Sequence, residues 1–343
     1  MKKQFYAGLF AALVCTVPPA AQAAPLYHLV RSVPLGGAIK WDYLHFDAPS
    51  GRVYVSHGTE LTVVSAATGG IIGHVAGLSG SHGVAIDTAA GLGFADSSQT
   101  RTISVFSLKT LVVSGSVPAL EDADGMVFDR PSGQVFTVGG DAQADLVLNA
   151  ATQRPAATIA LGGSPESQVS DQAGAVFVDI KNKNELVRIS TRSDAITGRW
   201  NLPGCEGPTG LAIDRANHVL FATCQNARMA VVNGDTGAML ANLPIGKGTD
   251  SAAFDPARKR AFSSNRDGTL SVISEVSATK FVALPPVETA PGARTMAVDP
   301  GTGRVFLVSA KVQSASPPKQ PGAAPFYTFA PGSVRLLVYA PGA

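Results

Sequence analysis

Seven positions spaced at near-equal intervals hold most of the side chains in this sequence that could do chemistry together. Asp42, His82, Asp124, Glu166, Thr209, Asp250 and Arg294 follow one another at steps of 40, 42, 42, 43, 41 and 44 residues. All but Thr209 are ionisable. Four carboxylates, an imidazole and a guanidinium brought to one place would perturb one another's pKa values and attract a cation or a polar ligand. The oxygen-rich subset Asp42, Asp124, Glu166 and Asp250, with His82 beside it, suits a hard divalent cation such as Ca²⁺, Mg²⁺ or Mn²⁺. With such an ion the same groups could activate water for hydrolysis, His82 shuttling the proton. Without one they could hold a small molecule, an ion or a protein partner, or only satisfy one another around a water-filled channel.

Each of these chemistries requires the seven residues to meet, so the elements that carry them come next. Every one lies five residues ahead of an aspartate that closes a short, mostly apolar run, as in Tyr43-Leu44-His45-Phe46-Asp47, Gly83-Val84-Ala85-Ile86-Asp87 and Gly125-Met126-Val127-Phe128-Asp129. The series continues through Asp171, Asp214, Asp255 and Asp299. Each aspartate opens a turn, often with glycine four residues on (Gly51, Gly91, Gly133, Gly303), where a short acceptor bonds backbone N–H groups and glycine permits positive φ. A second strand follows at once, β-branched and aromatic, as in Val53-Tyr54-Val55-Ser56, Val135-Phe136-Thr137-Val138 and Val305-Phe306-Leu307-Val308. Third strands such as Leu61-Thr62-Val63-Val64 and fourth strands such as Ile71 to Val75 complete a unit of about forty residues, the signature of one propeller blade. Glycine and proline are plentiful (36 and 23), and no stretch keeps apolar residues at helical spacing. The expectation is an all-β, seven-bladed β-propeller with four antiparallel strands per blade.

The last repeat ends at its third strand, Val334 to Tyr339, and Tyr27 to Val33 precedes the first anchor as an unassigned strand. Pairing the two closes the ring and removes an open sheet edge. In a propeller the first strand of each blade lines the central channel, so the seven equally spaced residues should encircle its mouth. Loops between second and third strands should emerge on the same face, bringing Ser56-His57, Asp96-Ser97-Ser98, Lys181-Asn182, Gln225-Asn226-Ala227-Arg228 and Asn265-Arg266-Asp267 to its rim. In blade 7 that loop is a Pro, Ala and Gly-rich insertion, residues 314–333, carrying Phe326, Tyr327 and Phe329; a lid over the mouth and a loose insertion are both open.

The stretches Val53-Tyr54-Val55-Ser56, Gly204 to Gly210, Asp267 to Ile273 and Gly292 to Met296 resemble the YVTN-repeat, YncE-like propeller family over essentially the whole mature chain. The resemblance implies the fold and an exported location. It says little about chemistry, because propellers host many unrelated functions.

The first 23 residues have the pattern of an export signal: Lys2 and Lys3, an apolar stretch from Phe5 to Val14, and the small-residue site Ala21-Gln22-Ala23. A product in the periplasm or outside the cell is expected, without a membrane span and as a monomer. Removing the signal leaves 27 − 2 = 25 basic against 25 acidic residues, so no global field collects nucleic acid. It also removes Cys15, leaving Cys205 and Cys224 as the one pair in an oxidising compartment, where a disulfide is expected. The sequence lacks a Cys-x-x-Cys-His haem site, a Gly-x-Ser-x-Gly elbow, a phosphate loop and a His-Glu-x-x-His helix. Two functions remain: an exported binding or interaction protein using the polar ring, or a metal-dependent, lactonase-like hydrolase at the same mouth.

Overall fold

The computed structural model of the protein describes Met1, residues 25–318 and residues 323–342. The expected export signal, with its cleavage point near Ala24, lies outside these residues apart from Met1. Among the described residues there is no helix, and seven antiparallel blades of four strands follow one another along the chain, the sixth with the short strand Val287–Glu288 added against Thr269–Ser277. The innermost strands are Leu44–Asp47, Val84–Asp87, Ala123–Asp129, Pro165–Ser170, Pro208–Asp214, Thr249–Asp255 and Met296–Asp299. Tyr27–Pro34 pairs antiparallel with Arg335–Pro341, so the first strand of the chain is the outer strand of the last blade.

The blades stack face to face, and this explains why the second and third strands are apolar on both sides. Each second strand contributes one aromatic residue, Tyr54, Phe94, Phe136, Phe177, Phe221, Phe262 or Phe306, and all seven are almost fully buried. At about 1.5–3 kcal/mol per buried large apolar side chain, this belt is a main source of cohesion between blades. Tyr54, Leu61 and Val63 of blade 1, for example, share a cluster with Val84, Ala95 and Phe106 of blade 2.

The anchor aspartates behave as turn formers. Ala173, Ala216, Ala257 and Gly301 each donate a backbone N–H to the carboxylate two residues earlier, at 2.7, 3.0, 3.0 and 2.9 Å. Some also tie blades together, as where Thr88 Oγ1 donates to Asp47 Oδ1 at 2.9 Å and Ser170 Oγ to Asp129 Oδ1 at 2.5 Å. Cys205 and Cys224 are disulfide-bonded with Cα atoms 5.4 Å apart, joining the lead-in of the inner strand of blade 5 to the end of its neighbour. The insertion in blade 7 contains a second hairpin, Val312–Ser316 with Phe326–Phe329.

Candidate functional site at the channel mouth

The inner strands approach one another closely, and glycine makes this possible. A Cβ on Gly83 would stand 2.4 Å from Asp124 O, and one on Gly125 would stand 2.7 Å from Glu166 O, both backbone atoms of the next blade. Neighbouring inner strands are thus packed backbone to backbone around a central channel of about 350 Å³ lined by residues from all seven blades.

At the upper end of this channel the inner strands bulge. In blade 3 Ala123 pairs with Gly139 but Met126 with Thr137, leaving Asp124 and Gly125 opposite one residue. The same break falls between Pro165 and Gln168, Pro208 and Gly210, and Thr249 and Ser251, so Glu166, Thr209 and Asp250 are also bulge residues. A bulge re-aims a side chain that would otherwise follow the pleat. Asp42, His82 and Arg294 occupy the equivalent places just ahead of their inner strands.

Charges from distant parts of the chain meet here. Arg294 Nη1 lies 2.7 Å from Asp250 Oδ2 and its Nη2 3.7 Å from Asp42 Oδ2, linking blades 6, 7 and 1. Lys181, from the rim loop of blade 4, places Nζ 2.9 Å from Glu166 Oε2. His82 Nδ1 lies 3.4 Å from Asp96 Oδ2 and 3.1 Å from Ala123 O. Asp96 Oδ1 meanwhile accepts the N–H groups of His82 and Gly83, both at 2.7 Å. Asp179 does the same work in blade 4, accepting the Ser167 N–H and hydroxyl at 2.8 Å. These two carboxylates hold the strand ends that present His82 and Glu166.

Burial dominates the electrostatics of the ring. It pushes Asp42 up to about 6, against the pull of Arg294 and with reinforcement from Asp250. Asp124 is held well above the usual carboxylate range, first by burial and then by the charges of Asp42 and Glu166. Burial also raises Glu166, opposed by Lys181. For His82 burial works against the cation, but the Asp96 carboxylate 3.4 Å from Nδ1 and the fields of Asp124 and Asp42 outweigh it and raise the imidazole to about 10. At that value His82 carries a positive charge at neutral pH. One oxygen of Asp124, Oδ1, is buried with no hydrogen-bond partner.

The surroundings of Thr209 and of the four carboxylates differ. Thr209 is fully buried and its hydroxyl donates to Thr249 O at 3.1 Å, which ties blade 5 to blade 6. Among the described residues no three carboxylate, imidazole or thiolate groups stand close enough together to hold a metal ion. Arg294 draws Asp42 and Asp250 to one side and Lys181 draws Glu166 to another.

Tyr43 is a participant that spacing alone did not single out. Its phenol is pushed well above its ordinary pKa by burial and by Asp124, Glu166, Asp250 and Asp42. Carboxylates of four different blades act together on a group near the channel axis. Tyr43 also lines the channel below, so it occupies the neck under the ring as a neutral O–H donor. The signal was present: the other six blades carry Gly83, Gly125, Ser167, Gly210, Ser251 and Thr295 at this place.

The insertion reaches the same face. Phe329 packs edge-on against Trp41 with ring centroids 5.1 Å apart, and Arg266 stands over the Phe326 ring at 5.9 Å. The hairpin therefore lies between Trp41 of blade 1 and Arg266 of blade 6, with Arg294 beside it.

No family model matches the chain, and no curated protein matches it in sequence. Solved structures do match over most of their length: U3-55K (8% identity, TM-score 0.74, covering 91% of this chain and 98% of that one) and the WD40 repeats of RRP9 (9%, 0.74, 93% and 99%). The structure of Kuenenia stuttgartiensis hydrazine synthase matches at 11% identity and TM-score 0.70, covering 80% of this chain and 92% of that one. At these identities the likeness establishes the seven-bladed propeller and leaves the finer resemblance to YVTN-repeat proteins as a resemblance.

Proposed function

We propose that the chain is an exported binding protein that holds a small, positively charged or hydrogen-bond-donating ligand in its acidic channel mouth. The observation that carries this is the crowding of carboxyl groups around the axis. Five of them, Asp42, Asp96, Asp124, Glu166 and Asp250, stand with three cations, His82, Lys181 and Arg294, and burial together with their neighbours' charge holds Asp124 toward the neutral acid. Within that set the buried Asp124 Oδ1 has no donor. An ammonium or guanidinium seated above Tyr43 would supply both a charge and a donor, and buried oxygens left unpaired cost about 1–3 kcal/mol. Propellers commonly serve ligand or protein interaction, which is the scaffold role this reading assigns. The paired cysteines and the absence, among the described residues, of a helix able to cross a membrane are consistent with export. A hydrolase at the same mouth has no specific observation in its favour, because the carboxylates are drawn to separate partners.

The test is a thermal-shift series at pH 7.5 with simple ammonium and guanidinium compounds, an amino-acid amide and Ca²⁺ as probes. A binder should raise the melting temperature of the native protein in proportion to the logarithm of its concentration, and Asp124→Asn should lose that response. If no probe stabilises the native protein more than the variant, the ring is not a binding site for such groups.

A further inference from the structure

Beside the acidic mouth, under the hairpin of the insertion, lies a second cavity of opposite character, with a volume of about 230 Å³. Its charged lining is wholly basic: Lys40, Arg266 and Arg294. The rest of its lining is Gly292, Ile39 and four aromatic residues, with Trp41 on the blade 1 side and Phe326, Tyr327 and Phe329 on the hairpin. No acidic residue lines it, although five acids stand around the neighbouring channel axis.

The three cations differ in how their charge is answered. Arg294 is paired with Asp250 and, at longer range, with Asp42. Lys40 is exposed to water. Arg266 is half-buried, and among the described residues no carboxylate lies within ion-pair distance of it; its guanidinium faces the Phe326 ring. Burial and the nearby Arg294 charge both disfavour its protonated form, with only Asp250 acting in its favour. A guanidinium cannot respond by losing its proton in a protein, so a half-buried one without an anion is short of a partner.

We propose that this cavity binds a small organic carboxylate bearing one aromatic ring, with the carboxylate on Arg266 and the ring against Trp41 and Phe329. Arg266 offers the planar fork that matches a carboxylate in two parallel hydrogen bonds. The edge-on Trp41–Phe329 pair supplies aromatic walls, and the cavity is smaller than the roughly 300–1,000 Å³ of drug-sized sites, which limits the occupant to about a single ring. The cavity shares Arg294 with the carboxylate ring but takes the opposite charge, and its test reads Arg266 and Trp41, which the ring does not include, so the outcome at one does not decide the other.

The chain has two tryptophans, Trp41 and Trp200, and Trp200 packs against Phe177 in blade 4. Trp200→Phe therefore makes tryptophan emission a report from the cavity wall. The probe is benzoate, compared with benzyl alcohol and benzylamine, which keep the ring and remove or reverse the charge. Benzoate should change the Trp41 emission saturably and bind at least tenfold more tightly than either control. Arg266→Gln should weaken benzoate by roughly tenfold, about 1.4 kcal/mol, without lowering the melting temperature. Arg266→Lys, which keeps the charge and loses the fork, serves as a second variant if the first does not fold, and should weaken binding by roughly threefold or more. Absence of a saturable response, benzylamine binding as well as benzoate, or undiminished affinity in the folded Arg266 variants would each overturn the proposal.

Discussion

Asp145 gives the sharpest quantitative test of the electrostatics in this fold. It sits on a central strand of blade 3, Ala144–Asn149, fully buried, and neither carboxylate oxygen has a hydrogen-bond partner. Burial raises it to about 8, opposed weakly by the nearby Thr137 backbone N–H, which lies outside hydrogen-bond geometry. In the unfolded chain an aspartate titrates near 3.9. Between roughly pH 4 and pH 8 the folded protein therefore holds a proton that the unfolded chain releases, and stability falls as pH rises through that window. Each unit is worth about 1.4 kcal/mol, so Asp145 alone costs on the order of 4 kcal/mol at pH 7 relative to acid conditions. Asp145→Asn removes the titration and keeps the shape and the buried polar atoms. Urea unfolding of both proteins at pH 5, 6 and 7 should show the variant gaining on the native protein by about 3 kcal/mol across the two units, whatever their offset at pH 5. A gap that stays constant over that range would show that the carboxyl group is solvated or paired in solution and would refute the burial reasoning.

Three further outcomes follow from the same physics. Asp42, raised to about 6 by burial, contributes stability that is present below about pH 4 and lost as pH rises through 6, worth roughly 3 kcal/mol; Asp42→Asn should melt higher than the native protein at pH 7.5 and not at pH 4.5. Replacing Cys205 and Cys224 together by serine opens a loop with a sequence separation of 19 and should cost about 3 kcal/mol, seen as a lower urea midpoint that reductant no longer shifts. Gly125→Ala places a Cβ 2.7 Å from Glu166 O, a backbone atom that cannot turn aside; calorimetry should show a loss of about 1–3 kcal/mol, whereas Ala at the open turn position Gly133 acts through its φ of 68° alone.

The blade count, the order of strands and the closure by Tyr27–Pro34 were legible because they follow from repetition. A residue period near forty, alternation within strands and a turn-forming aspartate are each written in neighbouring residues, and all seven anchors lie where the period puts them. The pairing of Cys205 with Cys224 was legible for a similar reason, since both flank one hairpin. The roles at the mouth were only partly so. Thr209 shares the ring spacing with Asp124 and Asp250, yet its hydroxyl bonds across to Thr249, a partner forty residues away. Tyr43 and Trp41 stand out only once the channel and the hairpin have been assembled around them.

From the amino-acid order alone came a ring of seven units and the set of side chains that would surround its hole. Tertiary structure alone decided which charges answer which: Asp42 and Asp250 with Arg294, Glu166 with Lys181, His82 with Asp96, and Arg266 with no carboxylate among the described residues. The physical reason is range. Strand and turn formation depend on a few adjacent residues, whereas an ion pair in a propeller depends on where bulges aim side chains and on how deeply the neighbouring blades bury them.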